Sequence, residues 1–278
     1  VTPPWFLRDA ADADGSAVLF PNLGGIYDQI LRIGGADEFL GPTTDTVEAI
    51  GAGGNSLWSP AKPLLATDGL ADGGRAFLNV VILPTGALLA LGGQYQEGYG
   101  AQRQFYSPQL FENGDWHELD PNPMASQRTY HSTAVLLPDG RVFLGGGDSR
   151  DYDYEIFSPP YLKDPANRPV NPVWQAPAPF LDPDYDARVL DRDSGYTIGF
   201  DPLPFGQTIT KAVLMAPCST THHSDMSQRY VELETSVTGG NQVQFKTNQL
   251  ETVVPRGIYM LFIVTNTSVS HAIWVMFQ

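Results

Sequence analysis

The chain has 278 residues, enough for one large β domain or two of ordinary size, each with a substantial buried core. Its 28 Gly, 23 Pro and 11% aromatic residues, against only 17% charged ones, favour short strands and tight turns over a helical protein. A formal net charge of -15 without a local basic patch disfavours nucleic-acid and anionic-membrane partners, and no apolar run approaches the roughly 18 residues of a membrane helix.

From Gly15 onward, a pattern of apolar strand, turn, apolar strand and paired glycine recurs. The first copy runs through Ala17-Val18-Leu19-Phe20 and Ile30-Leu31-Arg32-Ile33 to Gly34-Gly35. The second is tighter: Val80-Val81-Ile82-Leu83, a turn at Pro84-Thr85-Gly86, then Leu88-Leu89-Ala90-Leu91 and Gly92-Gly93. The third repeats it with Val135-Leu136-Leu137, Pro138-Asp139-Gly140, Val142-Phe143-Leu144 and Gly145-Gly146. Recurrence at about 50–60 residues is close to the kelch period, so each copy is expected to be one β-propeller blade. Pro-x-Gly closes the hairpin, and the glycine pair ends a strand where backbones crowd. Outer strands are expected near Gln104-Phe105-Tyr106-Ser107 and Tyr154-Glu155-Ile156-Phe157.

These blades are expected over residues 1–160, a connection rich in Pro, Asp and Asn over 161–183, and a second domain over 184–278. Short strands at 196–200, 211–215, 230–233, 242–245, 259–264 and 272–276 predict an immunoglobulin-like β-sandwich there. The expected fold class is therefore all-β, a partial kelch-type propeller followed by a sandwich. Three or four blades form an open arc with unpaired edges, so further blades are expected from another chain, a cleavage product or a second copy of this chain.

Tyr130-His131 stands where the inner strand of the third repeat begins, and His222-His223 lies in a polar loop of the second domain. Neighbouring strand residues face opposite ways, so a Tyr-His pair serves one metal ion only where the chain turns or bulges. Imidazole and phenolate suit Cu(II), although on spacing alone His131 also reads as a hydrogen-bonded rim histidine and His222 as an exposed loop histidine.

The stretches Arg128-Thr129-Tyr130-His131-Ser132, Glu155-Ile156-Phe157-Ser158-Pro159-Pro160-Tyr161-Leu162, Ser219-Thr220-Thr221-His222 with Asp225-Met226-Ser227-Gln228-Arg229-Tyr230-Val231, and Pro255-Arg256-Gly257-Ile258-Tyr259-Met260-Leu261-Phe262 closely resemble the galactose oxidase and glyoxal oxidase family of copper radical oxidases. The resemblance implies one copper ion with Tyr130 as axial ligand and catalytic base, His131 and His222 as equatorial ligands, and His223 as a neighbouring or bystander group. It further implies oxidation of primary alcohols, aldehydes or carbohydrates by O2 with release of H2O2, and a secreted or cell-surface setting. The family's radical cofactor is a tyrosine thioether-linked to a cysteine, both on blades this chain does not supply, so the chain alone is not expected to turn over. Cys218, the single cysteine, reads as a small buried side chain, while Tyr99 is a candidate aromatic wall for substrate. A second reading is a non-catalytic extracellular binding or structural protein that keeps the fold.

Overall fold

The computed structural model describes residues 14–21, 27–36, 41–51, 58–96, 102–119, 124–148, 152–239, 241–247 and 253–278. Helical structure among these is confined to 3-10 turns at Pro160–Leu162 and Pro165–Asn167. No helix among them is long and apolar enough to cross a membrane.

The N-terminal part consists of antiparallel sheets whose inner hairpins are those the repeats predict. Strands β1 (Ser16–Pro21), β2 (Tyr27–Ile33), β3 (Val47–Gly51) and β4 (Ser59–Pro60) form the first, in chain order. The second orders β5 (Asn79–Ile82), β6 (Leu88–Leu91), β9 (Gln109–Glu112) and β10 (Asp115–Glu118) outward, while β7 (Gln94–Tyr95) and β8 (Arg103–Gln104) pair separately. The third contains β11 (Ser132–Leu136), β12 (Val142–Gly146) and β13 (Tyr154–Phe157). Their first strands stand side by side, β1 against β5 and β5 against β11. Burial of every residue of β5 and β6 follows from this placement between neighbours.

Local chemistry explains the hairpins. Leu83 N donates to Ala87 O at 2.9 Å and Gly86 N to Leu83 O at 2.8 Å, which is a three-residue turn with Gly86 in the left-handed region at φ 92°. The same pair of bonds recurs at Leu137, with Gly140 at φ 80°. The expected outer strand at Gln104–Ser107 is not the one formed. Asn113 and Gly114, at φ 53° and 82°, make a two-residue turn that folds β10 onto β9 instead, and only Arg103–Gln104 pairs, with β7.

The glycine pairs join one sheet to the next. Gly34 and Gly35 have φ 63° and 122°, Gly92 and Gly93 have 66° and 97°, and in the third sheet the equivalent pair is Gly146 and Gly147, at 73° and 120°. This pair lies one residue beyond the expected Gly145-Gly146. Gly35 N donates to Arg75 O at 2.9 Å and Gly93 N to Arg128 O at 2.7 Å, in each case across to the following sheet. Arg128 itself is fully buried, and its guanidinium meets Asp153 Oδ1 at 2.9 Å, Glu155 Oε2 at 3.3 Å and Gly146 O at 3.1 Å. Replacing Arg128 by leucine removes, among the described residues, the only cation beside both carboxylates, which keep Ser126 Oγ and Ala125 N as donors, and leaves that carbonyl without the guanidinium. The expected loss is about 3 kcal/mol, the lower end for a buried pair because Asp153 is half exposed, and a shifted urea midpoint checks it.

The C-terminal part is a sandwich. Strands β14 (Val173–Trp174) and β15 (Phe180–Asp182) already belong to it, so pairing begins inside the stretch 161–183 expected as a connection. Then follow β16 (Ala187–Leu190), β17 (Gly195–Gly199), β18 (Ile209–Met215), β19 (Thr220–Thr221), β20 (Ser224–Asp225), β21 (Tyr230–Glu232), β22 (Glu234–Thr238), β23 (Gln242–Lys246), β24 (Gly257–Thr265) and β25 (Ile273–Phe277). One sheet is ordered β14-β17-β23-β22 and the other β15-β16-β25-β24-β18-β21.

The Ala212–Met215 half of β18 and Ile258–Val264 of β24 read as continuous apolar runs because the larger sheet is covered on both faces there. Ala212, Leu214, Tyr259, Leu261 and Ile263 enter the sandwich core with Ile198, Val243 and Phe245. Val213, Met215, Met260, Phe262 and Val264 enter a second core with Leu83, Leu88, Leu136 and Val142 of the N-terminal sheets. Period-two alternation thus fastens one part to the other, aided by Lys211 Nζ donating to Thr85 O at 2.9 Å and Ala272 N donating to Pro138 O at 2.7 Å.

Candidate metal centre

The Tyr130-His131 turn owes its shape to one extra residue. Phe77 and His131 each lie six residues before the leucine that opens the Pro-x-Gly turn, Leu83 and Leu137, and both take left-handed backbones, φ 57° and 64°. Counting back to the arginine whose carbonyl binds the glycine pair gives eight residues from Leu83 to Arg75 and nine from Leu137 to Arg128. The additional residue is accommodated ahead of β11, where Tyr130 and His131 occupy a turn instead of alternating across a strand.

The second piece is a hairpin from the sandwich. Thr220 pairs with Asp225 and Thr221 with Ser224, which leaves His222 and His223 as a two-residue tip at φ 50° and 65°. Both being left-handed defines a type I′ turn, a geometry that favours Asn-Gly and strains most other residues. Surroundings hold it in place: Thr220 Oγ1 donates to Ala134 O of β11 at 3.0 Å, Ser16 Oγ of β1 donates to His223 O at 2.9 Å, and β20 lies against β1 and β5. Gln228 brackets β1, accepting from Leu19 N at 2.6 Å and donating to Ala17 O at 2.7 Å. The tip therefore projects between the innermost strands of all three sheets. His222 is exposed, so His222→Gly is expected to keep the hairpin and raise stability by about 0.5 kcal/mol in a denaturant titration, through relief of the left-handed backbone.

The structure gathers Tyr130, His131 and the hairpin tip. The Tyr130 and His131 rings lie 3.9 Å apart between centroids, Tyr130 lies 6.0 Å from His223, and Phe77 sits 5.2 Å from Tyr130 and 5.4 Å from His223. His131 is exposed, and its Nδ1 is 2.7 Å from Asp148 Oδ1. Donation of Nδ1–H to that carboxylate fixes the ring and leaves Nε2 as the basic nitrogen. Of the two tip histidines, His222 is exposed with Nδ1 2.9 Å from Thr221 Oγ1, whereas His223 turns inward and is 2% exposed. Burial, seconded by the neighbouring His222 and His131 imidazoles, pushes the His223 pKa down to about 4, so this ring is neutral at pH 7, the form that donates to a metal.

Among the described residues no three His, Cys, Asp or Glu side chains already converge on one point as a metal cage. The donor set is still chemically apt for copper. Imidazole nitrogens stand beside a phenol, and both His223 ring nitrogens are buried with no hydrogen-bond partner, a state that costs free energy unless something is held there. Sequence reading missed Asp148, directly after the third glycine pair, and Phe77, whose place in the repeat matches that of His131. Tyr99 lies outside the described residues. Cys218 is half-buried, and burial followed by the Asp225 charge pushes its thiol up to about 12, so it stays a protonated packing residue.

Comparison with known proteins agrees with this architecture. Residues 184–277 match the family model described as the galactose oxidase-like early set domain. A galactose oxidase of Gibberella zeae is 29% identical over 268 residues, covering 92% of this chain and 36% of that protein. Aldehyde oxidase GLOX1 of Arabidopsis thaliana is 28% identical over 250 residues, 77% of this chain and 37% of the relative. A solved fungal alcohol oxidase of the AA5 family, in complex with copper, superposes with TM-score 0.72 at 22% identity over 97% of this chain and 55% of its own, a likeness of fold. The chain is similar along most of its length to galactose and aldehyde oxidases, and spans little more than a third of the length of these two relatives.

Proposed function

We propose that the chain supplies part of a copper centre that oxidises primary alcohols or aldehydes with O2, yielding H2O2. The observation that carries this reading is the placement of the His222-His223 tip beside the Tyr130-His131 turn, from two separate parts of the chain. In this reading Tyr130, His131 and His222 hold the copper ion, and Asp148 orients His131. Copper, when bound, supplies Lewis acidity and one electron equivalent. Tyr130 is the base that receives the substrate hydroxyl proton, and it is half-buried against Phe77, which limits the water that competes for that proton. The names of the relatives, galactose oxidase and aldehyde oxidase, support an alcohol, aldehyde or carbohydrate substrate.

The thioether-linked tyrosine–cysteine pair comes, in this proposal, from further blades on the N-terminal side, whether in one polypeptide or a separate chain. Two features support such blades. Among the described residues the third sheet has three strands where the other two have four, and Gly146–Gly147 keeps the conformation that in the first two sheets grips an arginine carbonyl of the next. A secreted or cell-surface setting completes the reading. The test is to purify the polypeptide or assembly that contains this chain, measure copper, and follow H2O2 release with small primary alcohols and aldehydes. One copper per chain with peroxide release is the expected result. A copper-free, peroxide-silent assembly overturns it and leaves a binding or structural role.

A further inference from the structure

We infer that His223 is a nitrogen donor to the same ion, so that this chain brings three imidazoles to the centre where the resemblance implies two. The inference rests on the copper reading above, and its first support is an imbalance within the hairpin. The two tip residues are chemically identical, yet the fold treats them oppositely: His222 faces solvent with one nitrogen engaged by Thr221, while His223 is 2% exposed with neither nitrogen engaged. A buried imidazole of this kind loses its hydration and gains nothing in return from the described residues. Phe77 and Tyr130 give it ring contacts, which a phenylalanine or leucine would make as well without the polar cost.

The second support is the backbone. Type I′ tips favour Asn-Gly, and a chain selected for the turn alone has no reason to hold histidine at φ 50° and again at φ 65°. Strain retained at two consecutive positions marks a requirement for those side chains. Geometry supplies the third. The His223 and Tyr130 centroids are 6.0 Å apart and those of Tyr130 and His131 are 3.9 Å apart. An ion with metal–nitrogen bonds of about 2 Å sits roughly 3 Å from an imidazole centre, and about 4–5 Å from the centre of a phenol that binds it through oxygen, so an imidazole and a phenol about 6 Å apart lie within the span of one ion. Ser16, by binding His223 O at 2.9 Å, holds the tip so that this residue faces Tyr130.

The experiment uses the purified polypeptide that carries the chain, stripped of metal and loaded with Cu(II), with affinity from titration and the number of coupled imidazoles from pulsed electron paramagnetic resonance. His131 and His222 are both exposed, so the double variant His131→Ala/His222→Ala is expected to fold. In that variant one imidazole coupling persists at reduced affinity, and adding His223→Leu removes it. The single variant His223→Leu, folded by circular dichroism, binds Cu(II) at least tenfold more weakly than the parent and shows a changed copper hyperfine splitting. A double variant without any imidazole coupling overturns the inference, as does a folded His223→Leu protein with parental affinity and spectrum. Should the parent itself bind no copper, the copper reading falls and this inference with it, an outcome distinct from the other two.

Discussion

Replacing Gly92 by alanine is expected to destabilise the protein by more than 3 kcal/mol, against about 1 kcal/mol for Gly114→Ala, in paired urea titrations. Both glycines have left-handed backbones, φ 66° and 82°, so both substitutions incur the conformational penalty of a Cβ there. They differ in what the new atom meets. At Gly114 nothing lies within 4 Å, whereas at Gly92 a Cβ falls 2.3 Å from Arg128 O and 2.8 Å from Arg128 Cβ. Relief requires the sheets to part, which breaks the 2.7 Å bond from Gly93 N to that carbonyl and opens a core in which Leu91 is fully buried. Gly34 has the same relation to Arg75, with Arg75 O at 2.3 Å, and is expected to behave like Gly92. Equal losses at Gly92 and Gly114 would show that the glycine pair serves the turn alone and does not join the sheets.

The second large effect is on metal. His131→Ala is expected to weaken Cu(II) binding at least 100-fold while moving the unfolding midpoint little, because the side chain is 64% exposed and its bond to Asp148 lies at the surface. Asp148→Asn should cost about tenfold, since the amide still approaches Nδ1 but no longer holds the charge that keeps Nε2 the basic nitrogen. Competitive titration with a colorimetric chelator reads both. Parental affinity in His131→Ala removes the Tyr130-His131 turn from the centre, and a hundredfold loss in Asp148→Asn makes Asp148 a ligand in its own right.

The parts of the fold legible from sequence are those whose cause is local. Pro84-Thr85-Gly86 and Pro138-Asp139-Gly140 encode their hairpins within three residues, and the apolar runs of β5, β6 and β24 announce strands covered on two faces. Asn113-Gly114 is an equally local signal for β9 and β10, and it competes with the aromatic stretch at Gln104–Ser107. Strands β14 and β15, of two and three residues amid prolines, carry no pattern of their own; pairing with β17 and β16 makes them strands.

The site divides in the same way. A turn before β11 was foreseeable from the requirement that Tyr130 and His131 face one ion, while the family resemblance drew attention to His222. Which tip histidine faces inward was not readable, because His-His is a poor local match to a type I′ turn and the direction of the tip depends on Ser16 and Ala134 of other sheets and on the bonds of Gln228 to Ala17 and Leu19, all distant in sequence from their partners. The extra residue between Arg128 and β11 shows only when the repeats are aligned through their hydrogen bonds.

The two-faced sheet of β18 and β24 bears on how this protein comes apart. Since alternate residues of one strand serve two cores, a slip of one residue would exchange both sets at once, so neither core tolerates an alternative register of that strand. A sandwich cut free of the N-terminal sheets would present Val213, Met215, Met260, Phe262 and Val264 to water as one contiguous apolar face. Excision at the covalent connection between the parts is therefore expected to yield a fragment that aggregates, and the two parts are expected to unfold in one transition.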